Sequence, residues 1–239
     1  MAEQARNGRG AVSAGAVRAE RGAAGRPALS QDDPPLRPLG DLLRLPRPLA
    51  LQRLAFGLAG RAAAAQPLEW FAGATRTRGP RALVPDAWPG QAAIGQEIAR
   101  NRFPLLGRTL PAPQPPFRPV GADQRWTAAL NGFGWLRHLR AFGGDQGRRA
   151  ARELVALWIE REGRWSPTVW DPAVTGERIA AWLGHWEFFA VSAEVMFRQR
   201  ILGSLYRQAR YLARVLPAGL AGAELVAALK GLAFAGAAF

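Results

Sequence analysis

The sequence predicts an all-α protein assembled from antiparallel helical hairpins, and three observations predict it. First, Trp135-Leu136-x-His138-x-x-x-Phe142 and Trp182-Leu183-x-His185-x-x-x-Phe189 repeat one pattern 47 residues apart, the length of a helical hairpin repeat. Second, segments 145–161 and 194–216 carry apolar residues at helical spacing. Third, short turns bearing Gly, Pro and Asp separate these segments, as in helix pairs joined by short loops.

Three regions follow in order. Residues 1–38 are polar, rich in Gly and Ala and closed by Pro34, Pro35 and Pro38, the composition of a disordered leader. Residues 39–120 begin with a helix over 39–65 that Pro46 and Pro48 interrupt. They continue as a Pro- and Gly-rich connection with a short helix at 91–100 and extended pieces at 81–84 and 103–110. Connections of this length ordinarily pack on something.

Residues 121–239 hold the hairpins. Asp123 is a good N-cap for a helix through Phe142, which Gly143 and Gly144 terminate. Asp145 caps the next, through Arg161, where Leu154, Leu157, Trp158 and Arg161 show the amphipathic period. Gly163 closes it, and Trp165 to Pro172 forms an aromatic loop. Thr175, with Arg178 three positions on, starts a helix through Ala190. Ser192 caps another to Leu216, with a buried stripe of Phe197, Ile201, Leu205, Leu212 and Leu216. Opposite it, Arg200, Arg207, Arg210 and Arg214 are expected on the solvated face, with Tyr206 and Tyr211 packing beside them. Pro217 and Gly219 break the chain before a last helix from Ala221. Residues 225–239 are apolar on nearly every face, which calls for neighbours on every face and leads us to expect further helices after Phe239.

Composition narrows the chemistry. With no cysteine, disulfides, thiolate catalysis and Cys-ligated zinc are excluded. Two histidines without clustered carboxylates predict no metal site, and no cofactor motif appears: P-loop, dinucleotide fingerprint, nucleophile elbow, HExxH and EF-hand spacings are all missing. Glu160 and Glu162 face different ways and Glu177 and Glu187 lie almost three turns apart, so no paired-carboxylate glycosidase is supported. No apolar run reaches a membrane-spanning length and the N-terminus has no apolar signal core, so no membrane span and a cytoplasmic location are the defaults. The net charge of +14 comes from 32 basic residues, all arginine except Lys230, dispersed without a basic block. Such a field favours acidic partners, acidic polysaccharides among them, and its dispersal argues against a dedicated nucleic-acid tract.

The repeated octads place Trp, His and Phe on one helix stripe, with Asn131 one turn before the first and Arg178 one turn before the second. Polar groups set between aromatic rings suit a carbohydrate or another polar ligand. The same spacing also builds ordinary core, and either use accounts for it.

An ordered series of pieces resembles the heparinase II/III-like polysaccharide lyases. The pieces are Asp86-Ala-Trp-Pro-Gly90, Arg102-Phe103, and Trp126-x-x-x-Leu130-Asn131-Gly-Phe133-x-Trp135-Leu136-x-x-Leu139. Trp158-Ile159 then precedes Gly163-Arg-Trp165, and Trp170-x-Pro172 leads into Gly176-Glu-Arg178-x-x-x-Trp182. The resemblance spans roughly residues 80–239. It implies an incomplete (α/α) toroid, with a cell-envelope location as an option. The full family chain continues into further toroid helices and a C-terminal β-sandwich. Its reaction is β-elimination of uronate-containing polysaccharide, of heparin or alginate type, in which a base removes the C5 proton while another group neutralises the carboxylate. The family's catalytic Asn, Tyr and His lie in parts beyond this chain, so no catalytic residue is assigned. The resemblance gives cleft-lining roles to Asn131, Trp135, Arg178 and Trp182, with Trp165 and Trp170 on the adjoining loop. The stripe geometry adds His138 and His185 as donors to a uronate. A second reading is a helical-repeat adaptor that binds a protein or nucleic acid through its arginine-rich and aromatic faces.

Overall fold

The computed structural model describes Leu58, residues 79–111, Phe117 and residues 119–216 and 220–239. The expected leader lies outside the described residues, as does the helix of 39–65 apart from the helical Leu58. The described part is predominantly α-helical, with one short antiparallel hairpin. In order the elements are α1 (Ala92–Ala99), β1 (Arg102–Leu105), β2 (Arg108–Pro111), α2 (Gln124–Gly132), α3 (Leu136–Phe142) and α4 (Gly144–Arg161). There follow α5 (Pro172–Gly184), α6 (Trp186–Phe189), α7 (Val195–Val215) and α8 (Gly222–Ala238).

The expected extended piece at 103–110 is the hairpin β1–β2, paired Phe103 to Leu110 across a turn in which both Leu106 and Gly107 have positive φ. It seats the buried Phe103 ring edge-on against Trp135, with centroids 5.3 Å apart. No strand forms at 81–84, although the amide of Arg81 donates to the Ala238 carbonyl at 2.8 Å.

Asp123 caps α2 as expected, accepting the Trp126 amide at 2.7 Å. The helix does not run on to Phe142, however: it stops at Phe133, which adopts a left-handed φ of 60°. Aromatic packing explains the break. The turned Phe133 ring meets Phe117, Trp135, Trp158 and Trp182 with centroids 4.7–6.2 Å apart. The Trp135 indole also donates to the Leu130 carbonyl at 2.8 Å, satisfying an acceptor at the helix end.

Four other boundaries differ from expectation. Asp145 does not cap α4, which starts at Gly144 with Gly143 in the N-cap position; the aspartate sits in the first turn and pairs with Arg148. Helix α5 begins at Pro172, because the Asp171 carboxylate accepts the amides of Ala173 and Val174 and proline suits the first helical position. It breaks at His185, so the run to Ala190 is two helices, α5 and α6. Ser192 does not cap α7; its hydroxyl accepts Arg152 Nη2 at 2.7 Å.

Helix α5 is the centre of the packing, touching α2, α7 and α8. Around it sits an aromatic core of Trp126, Phe133, Trp158, Trp170, Trp182 and Tyr211. Helix α7 buries a broad face, which corrects the expected four-arginine solvent stripe. Arg200, Arg210 and Arg214 are exposed, but Arg207 is 4% exposed and stands over the Trp170 ring at 5.5 Å. The nearly all-apolar α8 buries Ala228, Gly231, Ala235 and Ala238, while Val226 and Leu229 are exposed. Among the described residues no helix is long and apolar enough to cross a membrane.

Candidate functional site

The structure does not gather the sequence-predicted site residues into one cleft, and none of the eight lines the surface cleft formed by Asp86, Trp88, Arg137, Glu177 and Lys230. Six of the eight are buried: Asn131, Trp135, Trp170, Arg178, Trp182 and His185. The octads account for this. Trp135 and Trp182 each lie close to a helix break, and the breaks turn their rings into the shared aromatic core rather than along a cleft wall. His138 and Trp165 are partly exposed.

The buried polar core is organised by Arg178, which is wholly inaccessible. Its Nε donates to Gln208 Oε1 at 2.7 Å, Nη1 to the carbonyls of Asn131 and Val169 at 2.9 and 3.0 Å, and Nη2 to Thr175 Oγ1 at 3.2 Å. The guanidinium lies 4.0 Å from the Trp158 ring centroid, and the Trp158 indole donates to Asn131 Oδ1 at 2.9 Å. Desolvation pulls the Arg178 pKa down to about 9, opposed by the Tyr211, Glu162 and Asp171 groups nearby. Asn131 and Arg178, equivalent in the two octad stripes, are thus direct neighbours that join α2 to α5. Their chemistry is structural: each of the three guanidinium nitrogens of Arg178 donates to the protein itself.

The cleft lies outside this core. Residues 85–88 form a strap over α3 and the C-terminal end of α5, where the Asp86 amide donates to the Gly184 carbonyl at 3.2 Å. The Asp86 carboxylate accepts the Trp88 amide at 3.0 Å, and Arg140 donates to the carbonyls of Asp86 and Trp88 at 3.0 and 3.1 Å. The strap can lie this close because Gly90 meets the α3 backbone directly; a Cβ there would stand 2.0 Å from the Arg137 carbonyl oxygen. Beneath the strap, Asp86 Oδ2 is 3.2 Å from Arg137 Nε and 3.4 Å from His185 Nε2. Across the cleft, Lys230 of α8 pairs with Glu177 of α5 at 2.6 Å. Asp86, Arg137, Glu177 and Lys230, with Gly134, Ala180, Ala181 and Phe234, enclose about 240 Å³, and Trp88 is 68% exposed at the rim. Among the described residues no cluster of three His, Asp or Glu could hold a metal.

Asp86 and Trp88 belong to a sequence motif that assigns them no site role, Arg137 carries no sequence signal of its own, and Lys230 stands out in the sequence only as the lone lysine. The available signal was the Asp-x-Trp-Pro-Gly string, in which an aspartate can fold back onto the amide two residues on while proline fixes the next turn.

His185 lies under this strap and His138 holds the chain just after it. His138 Nδ1 accepts the Gln91 amide at 3.0 Å, so its proton is on Nε2. His185 Nδ1 faces the Ala181 carbonyl at 2.9 Å and therefore carries the proton there. Burial lowers both pKa values below the ordinary 6.5; Arg137 adds to this at His138, while Ala181 and Asp86 oppose it at His185. The Asp86 contact pulls His185 the other way, but its ring is fully enclosed and Arg137 and Arg140 also disfavour its charge, so desolvation decides. Folded-state values below the unfolded 6.5 mean that the unfolded chain binds more protons under pH 6.5. Stability from these rings is therefore complete above pH 6.5 and is lost as pH falls below it towards the folded pKa values. Urea titrations at pH 7.5 and 5.5 are expected to show a lower midpoint at the acid value, and the His185→Gln variant a smaller change. An unchanged midpoint would refute the assignment.

Comparison with family models, curated proteins and solved structures finds no match to this chain.

Proposed function

We propose that this chain is the acidic-sugar-binding N-terminal part of a polysaccharide lyase that cleaves uronate-containing polymers by β-elimination, its hairpins forming part of an (α/α) toroid. The observation that carries the reading is the Trp88 cleft. An exposed indole offers a stacking face to a sugar ring, and two cations, Arg137 and Lys230, stand where a uronate carboxylate could reach them. Lys230 and Glu177 are both partly exposed, so their pair is weak enough for a ligand carboxylate to compete with Glu177. The ordered motifs from Asp86 to Trp182 support the family assignment. The base and acid of the elimination belong, in this reading, to segments outside this chain, since His185 is closed off under the strap.

Calorimetry with uronate oligosaccharides tests the reading. Trp88→Ala and Lys230→Ala are each expected to weaken binding by about tenfold with little loss of stability, and this chain alone is expected to release no ultraviolet-absorbing unsaturated product. Unchanged affinity in both variants would remove the cleft from the proposal, and turnover would place the chemistry here after all.

The adaptor reading has its own support in exposed apolar side chains: Val226 and Leu229 on α8, and Val195 and Met196 at the start of α7. It predicts equal binding of a nucleic-acid duplex of matched charge, or of a protein partner, with no preference for uronate.

A further inference from the structure

A second concave surface lies on the N-terminal half of α4, away from the Trp88 cleft. It is lined by Asp145, Arg148, Arg149, Arg152 and Ser192 and encloses about 600 Å³. None of its five lining residues is apolar. Three guanidinium groups against one carboxylate leave a formal charge of +2 on the wall, which selects for a compact, multiply charged anion and against an apolar ligand.

Two further details make the wall a built one. Arg152 is held in place, its Nε donating to the Phe189 carbonyl at 2.8 Å and its Nη2 to Ser192 Oγ at 2.7 Å, so its fork is pre-organised and the Ser192 proton is left to donate. Arg149 is exposed and makes no hydrogen bond or ion pair among the described residues. The basin already stabilises negative charge. The Asp145 carboxyl is held below its ordinary pKa by its hydrogen bond to Arg148 and by the charges of Arg148, Arg149 and Arg152. That carboxylate lies at the rim, 87% exposed and 2.7 Å from Arg148, in a surface pair that a stronger anion can displace.

We propose that this arginine basin is a binding site for a tetrahedral oxyanion of phosphate or sulfate type, either free or borne as an ester on a larger molecule. Arginine suits that chemistry because its planar fork matches two oxygens of one anion at once. The site is independent of the uronate reading: no residue is shared with the cleft.

Calorimetry of the full chain at low salt with inorganic phosphate, sulfate and pyrophosphate is expected to show one saturable site, tightest for pyrophosphate. Arg149→Gln and Arg152→Gln should each weaken it about tenfold, and Asp145→Asn should strengthen it by removing the competing carboxylate. Arg214→Gln, on an exposed part of α7, should leave it unchanged. Methyl phosphate separates the sources: affinity equal to that of phosphate supports an ester-borne group, and binding more than tenfold weaker supports the free ion. Absence of saturation, an equal loss from Arg214→Gln, or weaker binding by Asp145→Asn overturns the proposal.

Discussion

Arg178→Met is expected to cost about 3–5 kcal/mol of stability, the range for breaking a buried charged network by removing one member. Methionine keeps much of the side-chain volume, so the loss reads the polar contacts rather than a cavity. Four acceptors would be stranded in the core: the Asn131 and Val169 carbonyls, Gln208 Oε1 and Thr175 Oγ1. Each buried acceptor left unpaired costs about 1–3 kcal/mol. The loss is less than their sum because the bare guanidinium was itself costly to bury, as its lowered pKa records. Urea unfolding should show a large fall in midpoint at constant slope. Arg214→Met, on the exposed side of α7, should stay within about 0.5 kcal/mol of the parent. A loss under 1 kcal/mol for Arg178→Met would mean that the core repacks without this network.

The contrast between Arg178 and the Trp88 cleft shows what was legible in the sequence. Helical period and turn residues located the helices, because both are local: Asp123 and Gly143 act on their own helix ends. The breaks at Phe133 and His185 were not visible as breaks. Gly132 and Gly134 flank Phe133 and marked a weak point, but what turns Phe133 is contact with Trp158 and Trp182, tens of residues away. One turn before each repeated octad stand Asn131 and Arg178, and the two are neighbours in the fold, Arg178 donating to the Asn131 backbone carbonyl. Periodicity gives a shared face without saying what covers it, and here the covering is the rest of the core. Arg207 fails in the same way: its position on α7 is polar by pattern, yet the packing around Trp170 encloses it. The cleft was hidden for a different reason. Asp86, Arg137, Glu177 and Lys230 come from four distant stretches, and no single spacing joins them.

Gly231→Ala should detach α8 from α5, although it adds only one methyl group. The two helices meet backbone to backbone. A Cβ on Gly231 would stand 2.4 Å from the Gly176 Cα, and one on Gly176 would stand 2.2 Å from the Ala227 carbonyl oxygen. No side chain can rotate away, because the obstructing atoms are helix backbone, so the helices must separate. Overpacking of this kind costs about 1–3 kcal/mol and more where the backbone has to move. What holds α8 in return is the buried methyl groups of Ala228, Ala235 and Ala238, each worth about 0.8 kcal/mol of burial, with the partly buried Leu232 and Phe234 and the Lys230–Glu177 pair. Amide exchange over 226–238 is therefore expected to accelerate about a hundredfold, with α2 and α4 little affected. The same change would carry Lys230 away from Glu177 and open the wall of the Trp88 cleft, so ligand binding should fall with it. Gly236→Ala provides the internal control. It lies in the same helix with nothing within 4 Å of its added Cβ, and the gain in helix propensity should stabilise α8 by up to about 1 kcal/mol. Opposite signs from two identical substitutions five residues apart isolate the close approach as the cause; matching signs would show that α8 is held by something other than its contact with Gly176.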